Sequence, residues 1–151
     1  MDTKQTDEYL AELGVQEKQY DVLYRKVANA FELPDCSMWI LYYRSSSENP
    51  LSQQDLIEKM MFPKQTINSA VTGMVKKGLL ELQMIPGTRN RKEIRLTDIG
   101  DELVGRSVKR MRRAEEKAVQ DLGDRKMQQY MILYREFYSA LERNFKEEEL
   151  I

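Results

Sequence analysis

The chain has 151 residues, 24 Lys plus Arg against 25 Asp plus Glu, no His, one Cys and 41% hydrophobic residues, enough for a core, since a domain of this size buries roughly 70% of its unfolded surface. One Cys and no His exclude an intramolecular disulfide, a Cys-rich zinc site and His-based hydrolysis, so neither metal nor cofactor is expected. The net charge of −1 averages blocks of −5 over residues 1–61, +5 over 62–96 and −1 over 97–151, and such a basic island is either the footprint of a nucleic-acid-binding element or a solvated patch.

The first 30 residues hold no apolar signal core and the chain has no run of 18 apolar residues, which predicts a cytoplasmic protein. Tyr20, Leu23, Tyr24, Val27 and Phe31 then recur at i, i+3, i+4, i+7 and i+11, the spacing of one helix face, with an earlier turn at Leu10 and Leu13. After Pro34-Asp35, the segment Cys36–Tyr43 has six consecutive apolar or aromatic residues from Met38 and predicts a central buried helix. A polar linker from Ser45 to Pro50 follows. Ser52 with Asp55 three residues on has the form of a capping box ahead of Leu56, Ile57 and Met60. Phe62-Pro63 breaks that helix. The next buries Ile67, Ala70, Val71 and Met74, presents Gln65, Asn68, Ser69 and Thr72 on its other face, and stops at Gly78.

Two helices joined by a turn, the second with amide and hydroxyl groups outward, have the form of a helix-turn-helix. Leu80, Leu82 and Met84, then Ile94 and Leu96, alternate with polar residues and predict two half-buried strands. Pro86, Gly87, Thr88, Arg89, Asn90, Arg91 and Lys92 between them form a hairpin tip with three cations in four residues. Phosphate contacts from such a wing fix register, while polar side chains on the helix reach base edges. Beyond it, Thr97 caps one long helix holding Ile99, Leu103, Met111, Ala114, Ala118 and Leu122, stopped by Gly123 before an N-cap at Asp124. In the last helix Met127, Tyr130, Tyr134, Phe137 and Leu141 step by 3, 4, 3 and 4, a heptad seam that calls for a partner helix.

Over roughly residues 10 to 145 the chain resembles the MarR family of bacterial winged-helix transcription regulators. The resemblance rests on Leu51-Ser52-Gln53-Gln54-Asp55-Leu56, Lys64-Gln65-Thr66-Ile67, Met74-Val75-Lys76-Lys77-Gly78-Leu79-Leu80, and Ile94-Arg95-Leu96-Thr97 with Gly100 three residues on. It implies a homodimer on double-stranded, pseudo-palindromic DNA, relieved in many members by small phenolic or amphipathic ligands or by oxidants. Carried over, the recognition positions are Lys64, Gln65, Thr66, Asn68, Ser69 and Thr72. Many relatives place an Asp, any residue and an Arg in the wing. Here those positions hold Thr88 and Asn90, so the acid is absent. Either Arg89 and Arg91 are freed for phosphate, beside Lys92, or a one-residue shift makes Arg89 the functional residue.

Cys36 at a helix start has two readings: a thiol activated by the helix N-terminus, hence a redox sensor, or a small buried apolar residue. Tyr20, Tyr24, Trp39, Tyr42 and Tyr43 fall where relatives bind effectors, and are core or the lining of a pocket for a small aromatic or amphipathic ligand. The expected fold is mainly α, a winged helix-turn-helix with a two-stranded wing, within one compact domain: an N-terminal dimerisation region at 1–34, a DNA-binding region at 35–97 and dimerisation helices at 98–151. Leu10 and Leu13 join Met127, Tyr130, Tyr134, Phe137 and Leu141 in the expected dimer contact. The expected function is a ligand-responsive repressor and not an enzyme, since no carboxylate pair sits in an apolar setting. The rival readings are a winged protein-interaction module without specific DNA binding, and a thiol-based regulator acting through Cys36.

Overall fold

The computed structural model describes residues 2–151. Helix α1 (Thr3–Ala30) starts at Asp2, whose side chain accepts from the Lys4 amide, and runs unbroken for 28 residues. Its apolar stripe is buried only toward the C-terminus: Ala28 is inside, and Tyr24, Val27 and Phe31 pack on the core. Tyr20 and Leu23, expected on the same buried face, are 61% and 58% exposed.

Helix α2 (Asp35–Ser46) is the central element. Cys36, Ser37, Met38, Ile40 and Leu41 are buried because α1, the helices at 53–60, 64–76 and 98–106 and the strand at 92–96 surround it, the environment that an all-round apolar helix requires. Helix α3 (Gln53–Met60) carries the expected capping box, with the Ser52 amide donating to Asp55 Oδ2 at 2.8 Å. It ends at Met61, whose φ of 54° turns the chain toward Phe62-Pro63. Helix α4 (Lys64–Lys76) buries Ile67, Val71 and Met74. It closes with the Gly78 amide on Val75 O at 2.9 Å and the Leu79 amide on Met74 O at 3.0 Å, a paired terminus that needs the positive φ of Gly78, 69°.

Strands β1 (Leu80–Met84) and β2 (Lys92–Leu96) pair antiparallel, Leu80 opposite Leu96 and Met84 opposite Lys92. Only the base of this hairpin meets the core, through Leu80 and Ile94. Leu82 and Met84 are exposed, so the alternation reflects a strand form without the predicted half-burial, because the hairpin projects beyond the helices that could cover it. The Ile94 amide donates to Leu51 O at 2.8 Å and Ser52 bridges Glu93, which stitches the start of α3 to the wing.

Thr97 caps α5 (Asp98–Arg106) through its hydroxyl, which accepts from the Gly100 amide at 3.1 Å and donates to Gly78 O at 2.6 Å. The long helix expected from here is two, because α6 (Val108–Leu122) begins only after Ser107. The buried Ser107 hydroxyl takes the Leu103 carbonyl at 2.6 Å, and such back-bonding competes with the helical ladder and bends it. Ile99, placed inside by its periodicity, is exposed. Helix α7 (Asp124–Glu147) has Gly123, φ 83°, as N-cap rather than Asp124, which occupies the first turn.

The chain divides after Met111 into two compact units. In the second, α7 has no buried residue: Tyr130, Tyr134 and Phe137 are exposed and Met127 and Leu141 half-buried. In the first, Leu10 is exposed and Leu13 half-buried. No helix among the described residues is long and apolar enough to cross a membrane.

Candidate nucleic-acid interface

The buried stripe of Ile67, Val71 and Met74 fixes the rotation of α4, so the residues between those positions are turned outward. Lys64, Gln65, Thr66, Ser69 and Thr72 are exposed; Asn68 is half-buried, and its Oδ1 accepts from Gln53 Nε2 of α3 at 3.2 Å. Asn68 is thus held by the preceding helix, with its amide NH2 left to donate. The N-cap, Pro63, makes no side-chain hydrogen bond, so first-turn amides at the positive end of the helix dipole sit beside Lys64.

The wing tip is shaped by a turn in which Thr88 N donates to Ile85 O at 3.2 Å. Pro86 and Gly87 occupy its two central positions, and Gly87 supplies the positive φ of 77° that the second requires. The Thr88 hydroxyl donates to Ile85 O at 2.8 Å and lies 3.3 Å from Arg91 O, closing the loop from inside. The position that lacks the expected acid is therefore filled by a residue that orders the tip through its hydroxyl.

The three wing cations differ in what they touch. Arg89 and Lys92 are exposed and have no ion-pair partner among the described residues. Arg91 Nη2 lies 2.7 Å from Asp55 Oδ1 and 3.3 Å from Ser52 Oγ, so of the two readings of the wing this contact favours the one in which Arg89 is the free cation. Burial alone would raise the Asp55 carboxyl, but the Ser52 hydroxyl and amide and the Arg91 guanidinium outweigh it and hold it below its ordinary value. Sequence reasoning read Asp55 as a cap only. The signal it lacked is the pairing of β2 with Leu51 and Ser52, which brings Arg91 to the start of α3. At the wing base Arg95 pairs with Glu93 and hydrogen-bonds Gln83.

The aromatic residues form one connected stack. Tyr20 and Tyr24 have ring centroids 4.9 Å apart, Tyr24 and Trp39 5.0 Å, Trp39 and Tyr42 5.4 Å, Trp39 and Tyr43 6.3 Å. The rings pack on one another, with Tyr20 at the solvent end. Cys36 is buried, and burial together with the adjacent Asp35 carboxylate pushes its thiol up to about 11. Of the two readings of Cys36, this environment favours the small buried apolar residue over a thiol activated by the helix N-terminus.

A sequence profile described as MarR family matches residues 33–89. No curated protein matches the chain. Among solved structures it is similar to NMB1585, a MarR family regulator from Neisseria meningitidis, at 20% identity and TM-score 0.78 over 93% of this chain and 98% of that one. It is also similar to a MarR/EmrR family transcriptional regulator from Acinetobacter sp. ADP1 (15%, 0.69, 91% and 97%) and to MepR of S. aureus in a DNA complex (19%, 0.63, 88% and 96%). At these identities the likenesses show a shared fold. The profile covers the helix-turn-helix and the first half of the wing, the elements whose side chains are arranged above, so residues 33–89 are similar to the MarR family while the chain as a whole shares the fold of those regulators.

Proposed function

We propose that the chain is a homodimeric, ligand-responsive repressor that binds a pseudo-palindromic operator. The observation that carries this reading is the division of α4 into a buried apolar stripe and an outward face of Lys64, Gln65, Thr66, Ser69 and Thr72, next to a wing whose Arg89 and Lys92 are open to solvent. Amides and hydroxyls can read base edges in the major groove while the wing cations contact phosphate. Asn68 would present its NH2 to a base, with its carbonyl fixed by Gln53. The DNA complex of the similarly folded MepR supports the same use of this fold. In this reading residues 35–97 touch DNA, and segments 1–34 and 98–151 join two copies.

Exposed apolar residues on each terminal segment support dimerisation: Leu10 on α1, and Tyr130, Tyr134 and Phe137 on α7. Two-fold symmetry then sets the recognition helices roughly 34–36 Å or a multiple apart. The effector would be a small aromatic or amphipathic molecule that enters the stack at Tyr20 and replaces ring contacts with its own. Footprinting on the DNA flanking the gene for this chain tests the reading. Two protected half-sites related by a two-fold axis are expected; uniform, sequence-independent protection or none would favour a winged protein-interaction module instead.

A further inference from the structure

A polar cavity of about 420 Å³ lies within the first unit, where the end of α2 meets the base of the wing and the α5–α6 pair. Arg44 and Ser47 line it from α2 and its cap, Glu81 and Arg95 from the two strands, Asp101 from α5 and Lys109 from α6. It shares no residue with the aromatic stack or the recognition face.

Two features distinguish it from an ordinary gap between charged side chains. Arg44 is largely buried, with 18% of its side chain exposed. Its Nη1 donates to Ser47 O at 3.1 Å and its Nη2 lies 3.6 Å from Glu93 Oε1, but Nε is buried with no acceptor. A buried donor of a charged group left unpaired is costly; Nε itself is enclosed by protein, so a ligand in the cavity would meet the rest of the Arg44 side chain. The second feature is that Lys109, Glu81 and Asp101 make no ion pair among the described residues, although all three line one cavity. Charges of both signs thus line one space without an ion pair between Lys109, Glu81 and Asp101, all three of which are exposed and available to a ligand.

A purely anionic ligand would meet two carboxylates here, and a purely cationic one would meet three cations. A molecule with one charge of each sign satisfies both sets, and the volume suits a small ligand. We propose that this cavity binds a zwitterion of the α-amino-acid type, its carboxylate received by Arg44 and Lys109 and its ammonium by Asp101 and Glu81. The same site also has a route to the wing. Glu93 lies within ion-pair distance of both Arg44 and Arg95, at 3.6 and 3.5 Å, and bridges Ser52 at the start of α3. A carboxylate that draws Arg44 away from Glu93 would loosen the wing base. That coupling rests on the DNA-binding reading; ligand binding itself does not.

Calorimetric titration of the full chain with each standard amino acid in turn, and with acetate and methylammonium as one-ended probes, tests the site. At least one amino acid should bind saturably, each one-ended probe about tenfold or more weaker, and Lys109→Gln and Asp101→Asn should each weaken binding about tenfold with an unchanged melting midpoint. The proposal is overturned if no amino acid saturates by about 10 mM, if acetate binds as tightly, or if the variants bind like the parent chain. If binding holds but the ligand leaves DNA affinity unchanged, the coupling fails and the binding site stands.

Discussion

Arg91 Nη2 stands 2.7 Å from Asp55 Oδ1 across 36 positions of chain, so the wing is tied to the first turn of α3 by a contact between two separate elements. The guanidinium is half-exposed, at 53%, and pairs of that kind contribute only about 0.2–1 kcal/mol to stability. Its consequence is orientation: the wing tip and the helix-turn-helix are held to one another at the point where both would meet a duplex. Arg91→Ala should therefore weaken operator binding while shifting the melting midpoint little. Arg89→Ala should flatten the salt dependence, each lost phosphate contact reducing the log–log slope by about 0.9. Salt titrations of both variants separate the roles, and an equal loss of slope for Arg91→Ala would make Arg91 a phosphate contact instead.

The same pair sets an acid dependence. Asp55 is held below its unfolded value of about 3.9, so its contribution is complete above that value and is lost as pH falls through the lower folded value. Melting midpoints of the parent chain and Asp55→Asn, compared from neutral pH downward, should differ by a constant amount and converge in the acid range below about pH 4. A gap that persists at the lowest pH at which both fold would show that the carboxylate's charge is not what matters.

Most of the winged helix was legible because each signal there is local. Ser52 and Asp55 are three residues apart, Gly78 directly follows the last turn of α4, and the alternation from Leu80 needs only the strand itself. What escaped depends on contacts between distant segments. Nothing around Arg91 announces Asp55, and Ile99 fits a helical stripe that no neighbouring element covers. The break at Ser107 was missed for another reason: a serine within a helical pattern looks harmless until burial removes water as a partner and leaves the Leu103 carbonyl as its acceptor. Cys36 at a helix start allowed two readings, and the burial of α2 among its neighbours favours the apolar one.

Gly100 is a packing requirement. A Cβ there would lie 2.1 Å from Leu79 O and 3.3 Å from Leu96 Cδ2, and the Leu79 carbonyl cannot retreat because it accepts from the Thr97 amide. The motif of Leu96-Thr97 with Gly100 is thus one contact seen three times: Thr97 locks the end of α4 to the start of α5, and Gly100 lets them touch. Gly100→Ala should cost about 3 kcal/mol, the upper range for overpacking, despite the better helix propensity of alanine. Chemical denaturation would measure it; a neutral result would mean the α4–β1 junction is more pliant than this packing implies.

The Cys36 thiol, pushed up to about 11 and buried, should react with a disulfide reagent at neutral pH only as fast as the chain opens, and rapidly in denaturant. Cys36→Ser should leave DNA binding insensitive to peroxide, as in the parent chain. A fast native reaction, or peroxide release of DNA from the parent but not the variant, would return the thiol-sensor reading.

The dimer prediction rests on α7. Its side chains Tyr130, Tyr134 and Phe137, at 54%, 57% and 41% exposed, are too many large apolar groups for one helix to leave in water, and their heptad steps match the face of a partner helix. Phe137→Asp puts a carboxylate into that contact, and burying an unpaired charge costs several kcal/mol. Sedimentation should find the parent chain dimeric at micromolar concentration and the variant dissociated. The variant should also lose two-half-site protection while retaining weak, salt-sensitive DNA binding through the wing of the monomer. If the variant remains a dimer, the contact lies elsewhere; if the parent is a monomer, the two-fold operator reading fails with it.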